Sequence, residues 1–364
     1  MMVVSKQLQI FFDFLRFCIG SAKEIPVSLK EADWKELYRI AQKQCLVGVL
    51  FDGIKKLPTE HVGMEKELLL HWMAESQMLE KANVRLNDAA IQVSEWFWKK
   101  GFRTCILKGQ GNALMYPNPY SRTPGDIDIW VEGGDKRVIS FVRSISPHEK
   151  VCYHHIEFPS YKGVEVEVHY RPSFLLCFWH NRKLQKYYER VKEEQFSHRV
   201  MLGEHGEVAI PTVEFNLIFQ LTHIYAHLMN EGIGLRQLVD YYYVLISDDL
   251  LLIRDRVQKE LKELGLWKFA SAIMYIMQEM FGMPASRLIV PPNEKYGMFV
   301  LNEVLEAGNF GRHDARNQFG RSQLGHNLQR VYRDIRLVRC FPAEALCEPL
   351  FRIWHFFWRM KNKI

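Results

Sequence analysis

The residues with the clearest chemical potential are two aspartates, Asp126 and Asp128, in the segment over residues 125–131. Successive side chains of a β-strand point to opposite faces, so these two carboxylates lie on one face, about 7 Å apart. Neighbouring carboxylates repel each other unless a cation lies between them, and their hard oxygen atoms are preferred ligands of Mg²⁺. The pair therefore indicates a divalent-cation site, although an aspartate pair alone also fits a solvated strand face.

A second alternating segment, residues 164–170, supplies a third carboxylate. Its valines form one face, and Glu165, Glu167 and His169 form the other. If this strand pairs beside the first, Glu167 reaches the same cation site. Three acidic side chains from two adjacent strands can hold two Mg²⁺ ions, one that activates an attacking hydroxyl and one on a triphosphate. Glu165 stays open between this role and an exposed strand position.

Upstream, a short strand runs into the glycine turn Gly109-Gln110-Gly111, followed by a predicted helix over residues 112–116. Backbone N–H groups of such a turn form a cradle for phosphate oxygens, and Lys108 adds a positive charge. The turn is not a P-loop, because no Gly-Lys-Ser/Thr follows at the required spacing. A simple tight turn is the alternative interpretation.

Two other polar segments flank these strands. Arg122 precedes Asp126 by four residues in a proline-stiffened loop. A cation there is either a salt-bridge partner of the carboxylates or a second phosphate ligand, and both interpretations stay open. His154 and His155 are predicted to lie in a surface loop, and no role is assigned to them.

Two residue pairs share faces of predicted helices. His223 and His227 have the four-residue spacing of metal ligands, but no acidic third ligand is evident, so a zinc site is not predicted. Arg236 and Asp240 have the same spacing and suit a salt bridge. We interpret both pairs as walls of a cleft, in which Asp240 orients Arg236. Histidines buried in the core beside a hydrogen-bonding neighbour are the alternative.

The elements that position these residues form a small α/β unit between two helical regions. Strands are predicted over residues 103–107, 125–132, 163–170 and, as two strands around a glycine turn, 199–210. From Thr212, a plausible N-cap, the pattern is helical again. We predict an α+β protein with an N-terminal helical region (residues 1–99), a small mixed-sheet core (100–210) and a C-terminal helical domain (211–364). A cleft is expected where the sheet meets the helices.

The composition is that of a globular protein, with 48% hydrophobic and 25% charged residues among 364. This excludes a disordered, collagenous or low-complexity chain. Seven scattered cysteines without a Cys-x-x-Cys pair argue against a disulfide framework and predict a reducing compartment. Residues 1–20 have amphipathic helical spacing, and residues 215–230 are too short and too polar to span a bilayer. We expect a cytoplasmic protein with no stable membrane insertion.

The last 56 residues contain 11 Lys and Arg against 4 Asp and Glu, a net charge of +7, and the other 308 residues carry −1, which gives the overall +6. Arg330, Arg333, Arg336 and Arg339 recur every three residues, and residues 349–361 interleave aromatic rings with cations. Three interpretations of this tail stay open: a helix packed on the body with a solvated basic edge, an interfacial membrane helix, or an electrostatic funnel for an anionic partner.

The order of these motifs resembles the poorly characterised nucleotidyltransferase family of the polymerase-β-like superfamily. The likeness covers about residues 100–172 and extends more loosely to about 245. It departs from the superfamily pattern in having no serine after Gly109 and a longer gap to Asp126. The resemblance implies that the mixed-sheet core is a nucleotidyltransferase core, with Mg²⁺ (or Mn²⁺) bound by Asp126, Asp128 and Glu167. For the nucleoside triphosphate (NTP) and the acceptor it implies contacts with Lys108, Gly109, Gln110, Gly111, Arg122, His169, His223, His227 and Arg236.

The function implied by this resemblance is transfer of a nucleoside monophosphate (NMP) from an NTP to an acceptor hydroxyl. The acceptor, whether a small molecule, a protein or RNA, is not predicted. The alternative is a catalytically incomplete binding protein of the same fold, which uses its basic C-terminal tail to hold RNA or another anionic partner. A membrane-surface scaffold is a weaker third interpretation that rests on the last helix alone.

Overall fold

The computed structural model describes residues 5–58, 63–204, 206–311, 314, 316 and 323–361. Its first part is helical, as the spacing of apolar residues predicts. The helices are α1 (Lys6–Ile19), α2 (Trp34–Lys43), α3 (Val47–Ile54) and α4 (Lys66–Lys99).

A four-stranded mixed sheet follows, which confirms the predicted α+β class. It consists of β1 (Thr104–Ile106), β2 (Ile127–Val131), β3 (His155–Tyr161) and β4 (Val164–His169) in the order β1-β2-β4-β3. The strands β2 and β4 are parallel, and the other two pairs are antiparallel. Because parallel strands need a crossover connection, α6 (Gly134–Ile145) lies between β2 and β4 in the chain. In this register Asp128 pairs directly with Glu167.

Sequence analysis missed β3, and the reason is its position. Pro159 interrupts this strand, and a proline is tolerated in a sheet mainly on an edge strand, where its missing N–H does not break a ladder. The strand β3 lies at the sheet edge, and its register against β4 shifts between Phe158 and Tyr161. Without alternation, the segment gave no strand signal.

The remaining elements match the prediction more closely. The two strands predicted around a glycine turn are β5 (Arg199–Leu202) and β6 (Gly206–Ala209), which pair antiparallel. Thr212 is the N-cap of the next helix, since its side chain accepts a hydrogen bond from the N–H of Phe215. The helix after the glycine turn begins earlier than predicted, at Gln110. The helices outside the first region and the crossover are α5 (Gln110–Ala113), α7 (Phe178–Ser197), α8 (Val213–Asn230), α9 (Leu235–Leu245), α10 (Leu250–Glu263), α11 (Trp267–Glu279), α12 (Glu294–Ala307), α13 (Gln323–Leu337) and α14 (Pro342–Lys361).

The apolar face of β2 and β4 determines where their carboxylates lie. Ile127, Ile129 and Val168 are fully buried in one hydrophobic cluster with Phe97 of α4. Burial of each such side chain stabilises the fold by about 1.5–3 kcal/mol, so this face of the two strands stays buried and the opposite face carries the carboxylates. The other face carries Asp128 and then Trp130, which stacks on Phe215 of α8 with ring centroids 5.9 Å apart. The acidic residues therefore lie where the sheet meets α8.

In the part of the chain that the structure describes, no helix combines the length and the apolar character needed to cross a bilayer.

The helix α3 fixes the loop that leads into β2. Gly48 packs so closely on this loop that a β-carbon there would overlap the carbonyl oxygen of Ser121. We expect Gly48→Ala to lower the free energy of unfolding by about 1–3 kcal/mol, the usual effect of overpacking. Thermal denaturation checks this against Gly63→Ala, whose β-carbon would meet nothing closer than Trp34 Nε1 at 4.0 Å. Equal melting temperatures for the two variants would contradict it.

Candidate active site

The structure brings the three predicted carboxylates together. Asp126 lies directly before β2, Asp128 lies within it and Glu167 lies on the neighbouring β4. One oxygen atom from each lies within 4.8 Å of the other two. Glu165, by contrast, is exposed and lies outside this cluster. Of the open alternatives for Glu165, the geometry supports the exposed strand position.

The charges of this cluster are only partly balanced. The charge of Asp128, together with burial, raises the pKa of Asp126 to about 6. Burial alone would raise the pKa of Asp128 too, but the positive charges of Lys108 and His169 outweigh it and hold that pKa well below its usual range. Lys108 Nζ lies 2.8 Å from Asp128 Oδ1. The surplus negative charge therefore rests on Asp126, beside Lys108.

His169 lies against the carboxylates. Its Nε2 is 2.8 Å from Asp128 Oδ1 and 3.4 Å from Glu167 Oε2. Burial opposes its protonation, but these two partners outweigh burial and raise the pKa of His169 to about 9. The hydrogen bond to His169 in turn lowers the pKa of Glu167 against the opposing effect of burial. His169 is thus placed to orient both acidic side chains.

The prediction of a surface loop is wrong for His155, whereas His154 lies half-buried in the bend just before β3. His155 begins β3, pairs in register with His169 and is only 9% exposed. Its Nδ1 lies 3.5 Å from Glu167 Oε2 and 3.1 Å from His154 Nε2. Burial lowers the pKa of His155 to about 4. Sequence analysis could not place these rings at the site, because only the pairing of β3 with β4 brings them there and β3 was not predicted.

A small pocket of about 40 Å³ opens beside the aspartates, and its volume suits a few water molecules or one small anionic group. Lys108, Gly109, His223 and Arg236 contribute to its lining. Gly109 has a φ of 54°, a left-handed conformation that favours glycine, and it faces the pocket. Gln110 and Gly111, the other two residues of the glycine turn, do not line this pocket. The side chain of Gln110 is buried, and Gly111 packs on Ile210 while its N–H donates to the carbonyl of Lys108.

Arg122 pairs with neither Asp126 nor Asp128. Its Nε and Nη2 each lie 2.8 Å from an oxygen of Asp240, in a bidentate ion pair that is almost fully buried. The hydroxyl of Tyr116 donates to the same carboxylate at 2.6 Å. Arg122 borders the small pocket, but its charge is balanced by Asp240 and its geometry is fixed.

The predicted salt bridge between Arg236 and Asp240 is therefore wrong. Arg236 Nη1 instead donates to the carbonyl oxygen of Thr123 at 3.0 Å, in the loop before β2. Burial, with the nearby charge of Arg122, lowers the pKa of Arg236. Local helical spacing suggested a partner on the same helix, but Asp240 is held by a residue 118 positions earlier.

A wider cleft of about 710 Å³ also borders the carboxylates, and its volume lies within the size range of small-molecule sites. Lys108, Asp126 and His223 line both cavities, so the acidic cluster lies at their junction. Burial holds the pKa of His223 well below its usual value. His227 also lines the cleft, and its Nδ1 lies 2.6 Å from Glu231 Oε1, an acidic partner that sequence analysis did not find.

The C-terminal helices α13 and α14 form part of the cleft wall. Arg330 and Arg352 line it, and Arg352 also pairs with Glu348 at 2.8 Å. Arg333 is buried, and Arg336 pairs with Glu303 at 3.1 Å. Much of the tail's positive charge is thus directed into the protein. The outer surface of these helices is largely apolar, with exposed side chains that include Ile335, Phe356 and Phe357.

The donor atoms at the junction fit a hard divalent cation. Asp126, Asp128 and Glu167 supply carboxylate oxygens, the ligand type that Mg²⁺ prefers. The raised pKa of Asp126 reflects crowded negative charge, which a bound cation would relieve.

Comparison with known proteins gives a family match. The model of a family described as "Uncharacterised nucleotidyltransferase" matches residues 30–282. No curated protein matches the chain. Among solved structures, an antigenic nucleotidyltransferase-like protein from Paracoccidioides brasiliensis matches with 16% identity and a TM-score of 0.28, over 49% of this chain and 93% of that chain. The family match includes the carboxylates, the glycine turn and α9, and ends before α13 and α14.

Proposed function

This chain belongs to the uncharacterised nucleotidyltransferase family, and from that premise we propose that it transfers NMP from an NTP to an acceptor hydroxyl, with Mg²⁺ or Mn²⁺ as the cation. The observation that carries the proposal is the convergence of Asp126, Asp128 and Glu167 at the junction of two cavities. One cavity is small and lined by both cations and aspartates, and the other has the volume of a small-molecule site. A reaction that joins a triphosphate to a second substrate needs such an arrangement.

In this proposal the three carboxylates hold the cation or cations. Bound Mg²⁺ supplies neutralisation of the triphosphate charge and polarises the reacting hydroxyl. Lys108 and Arg236 direct positive charge at the small pocket, which receives one phosphate group of the triphosphate, with Gly109 at its wall. Gln110 and Gly111 hold this turn in place, since the side chain of Gln110 is buried and Gly111 packs on Ile210.

The remaining predicted residues position these groups. His169 orients Asp128 and Glu167, and Arg122 holds the loop before β2 through Asp240. His223 lies between the two cavities, and His227 faces the wide cleft, where the nucleoside and the acceptor bind.

The chemical step forms one bond and breaks one bond. The acceptor oxygen attacks the α-phosphorus, the bond from that phosphorus to the oxygen bridging to the β-phosphate breaks, and pyrophosphate leaves. The hydroxyl proton passes to the carboxylate of Asp126, which lines the wide cleft and whose raised pKa suits a proton acceptor. Since Lys108 already contacts Asp128, a positive charge is in place without reorganisation as the leaving group departs.

The direct experiment incubates the protein with labelled NTPs, Mg²⁺ or Mn²⁺, and candidate acceptors of the three classes: small molecules, proteins and RNA. Covalent transfer of label to one class supports the proposal and identifies the acceptor. We place the reaction in the cytoplasm, where the protein's seven free cysteines would stay reduced.

The alternative of an incomplete binding module gives a different result in a melting assay. An intact site predicts that NTP raises the melting temperature only when Mg²⁺ is present, because the carboxylates bind the triphosphate through the cation. The inward direction of Arg333, Arg336 and Arg352 gives no support to the tail as a separate RNA-binding surface.

Lys108 gives a sharp test of the phosphate side of the site. We expect Lys108→Met to lower kcat/KM for NTP by about 10²-fold, the usual loss when a preorganised charge at the reacting centre is removed. Lys108→Arg should retain more activity than Lys108→Met, because the charge remains. Initial rates at varied NTP concentration measure the effect, with Lys183→Met as the control, since Lys183 is exposed and bonds the carbonyl of Glu263. Equal rates for Lys108→Met and the wild type would contradict the proposed role.

A further inference from the structure

Two imidazoles meet Glu167 at the edge of the carboxylate cluster. His155 Nδ1 lies 3.5 Å and His169 Nε2 lies 3.4 Å from Glu167 Oε2, and all three atoms lie within 4.8 Å of one another. Both separations lie at the long end for a hydrogen bond from a ring nitrogen to oxygen, which is usually about 2.7–3.2 Å. Ligands around a tetrahedral ion with bonds of about 2.1 Å lie roughly 3.4 Å apart. The two separations therefore match the edges of a coordination shell.

The orientation of His169 suits a ligand. Its other ring nitrogen, Nδ1, lies 3.3 Å from the carbonyl oxygen of Arg171. A bound ion would replace the Nε2 proton that faces the carboxylates, while Nδ1–H donates to that oxygen, and metal-bound histidines are commonly held in this way. Asp128 Oδ1 lies 2.8 Å from the same Nε2 and so borders this position. His155 Nδ1 faces His154 Nε2 at 3.1 Å, and a bound ion would replace that hydrogen bond.

We propose that His155, Glu167 and His169 form a second metal site, which binds a first-row transition ion such as Zn²⁺. Imidazole nitrogens favour these ions over Mg²⁺, whereas the carboxylates of Asp126 and Asp128 favour Mg²⁺. The site is preformed because the two histidines pair in register on β3 and β4. It is also accessible, since His155 and Glu167 line the wide cleft.

The consequence is a mixed centre in which Glu167 is shared between a hard ion and a softer one. This role of Glu167 rests on the proposed function, but metal binding itself is measurable without turnover. The transition ion lies on the side of the wide cleft, beside the space assigned to nucleoside and acceptor. Mg²⁺ added alone to chelator-treated protein then fills only part of the centre.

A rival cluster elsewhere provides an internal control. Cys177, His180 and Glu344 also place ligand atoms within 4.8 Å of one another. The carboxylate of Glu344, however, already accepts the backbone N–H groups of Leu176 and Cys177, at 2.6 and 3.1 Å, at the start of α7. Its burial is explained by this capping of the helix.

The test uses the full chain, treated with a chelator and titrated with Co²⁺ and then Zn²⁺ in a large excess of Mg²⁺, without nucleotide. We expect one equivalent of Co²⁺ to bind with visible d–d bands of nitrogen and oxygen coordination, and Zn²⁺ to displace it. His155→Gln and His169→Gln should each lower the Co²⁺ affinity by at least about 10–100-fold, the loss seen when even an outer-shell partner of a metal ligand is removed. His180→Gln should bind Co²⁺ like the wild type.

Three outcomes overturn the inference. These are no Co²⁺ binding in excess Mg²⁺, unchanged affinity in His155→Gln, or loss of binding in His180→Gln with a thiolate charge-transfer band, which places the ion at Cys177. If the His169→Gln variant fails to fold because its side chain is buried, the Co²⁺ affinity of the His155→Gln variant still tests the inference. A chain that binds Co²⁺ through His155 but transfers no NMP refutes the proposed function and leaves the metal site standing. Transfer of NMP with Mg²⁺, combined with no Co²⁺ binding, would support the proposed function and refute the second metal site.

Discussion

The double variant Asp126→Asn/Asp128→Asn is expected to lose NMP transfer by at least about 10³-fold. Its Asp128→Asn change should also lower the melting temperature, because Lys108 and His169 lose a buried counter-charge, so Asp126→Asn alone is the folded reference. Removing a single preorganised charge-stabilising group typically costs 10²–10³ in rate, and here two of three cation ligands lose their charge together. Initial rates at saturating NTP and Mg²⁺ measure the loss, and circular dichroism with thermal denaturation checks the fold.

The sign of the pKa shift explains why Asp126→Asn should not unfold the protein. The folded-state pKa of Asp126, about 6, lies above that of an aspartate in an unfolded chain, about 3.9. The folded state therefore binds more protons between these pH values, and stability falls as pH rises through that window. At neutral pH, without added metal, the ionised Asp126 opposes folding. Asp126→Asn should then keep or raise the melting temperature.

Glu165→Gln is the matched control, because it makes the same chemical change on β4 at an exposed position outside the cluster. It should retain full activity. Full activity in the double aspartate variant would contradict the proposed function. Equal inactivity in Glu165→Gln would show that the loss does not report on the cluster.

Alternation predicted which strand face carries the carboxylates, because a strand with a buried isoleucine and valine face has one favoured orientation, but it did not predict that the two strands are neighbours. Once β2 and β4 are neighbours, Asp128 and Glu167 must share a face, and the structure pairs them directly. His155 could not be found in this way. It lies on an edge strand with Pro159, where alternation fails, so its approach to His169 depends on a pairing that local sequence does not encode.

Helical spacing misled the prediction for Asp240 for a related reason. Spacing of four residues brings Arg236 and Asp240 to one face of α9, but it carries no information about what packs on that face. Arg122 arrives from a loop 118 residues earlier and takes the carboxylate with two hydrogen bonds. Arg236 is left to bond the carbonyl of Thr123 and to border the small pocket. Long-range packing thus decided which arginine pairs with Asp240.

Asp240→Asn is expected to lower the free energy of unfolding by about 3–5 kcal/mol, the usual result of removing one partner from a buried ion pair. Arg122 and Asp240 are each about 5% exposed, so the remaining guanidinium charge would stay buried without its counter-charge. Arg122→Met/Asp240→Leu should recover much of the loss, because neither charge then remains buried. Denaturant unfolding measures all three proteins. The pair of Arg39 and Glu36, whose side chains are 65% and 32% exposed, serves as the control, where Glu36→Gln should cost at most about 1 kcal/mol.

The pH dependence of this loss separates the ion pair from simple packing. Burial alone would raise the pKa of Asp240, but the charge of Arg122 outweighs it, and the pKa is lowered. A carboxylate with a lowered folded-state pKa stabilises the fold above the pKa of the unfolded chain, about 3.9, and loses that contribution as the pH falls below it. The stability difference between the wild type and Asp240→Asn should therefore be full at neutral pH and shrink below about pH 4. A difference that stays constant over this range would mean that shape, and not charge, holds the loop before β2 against α9.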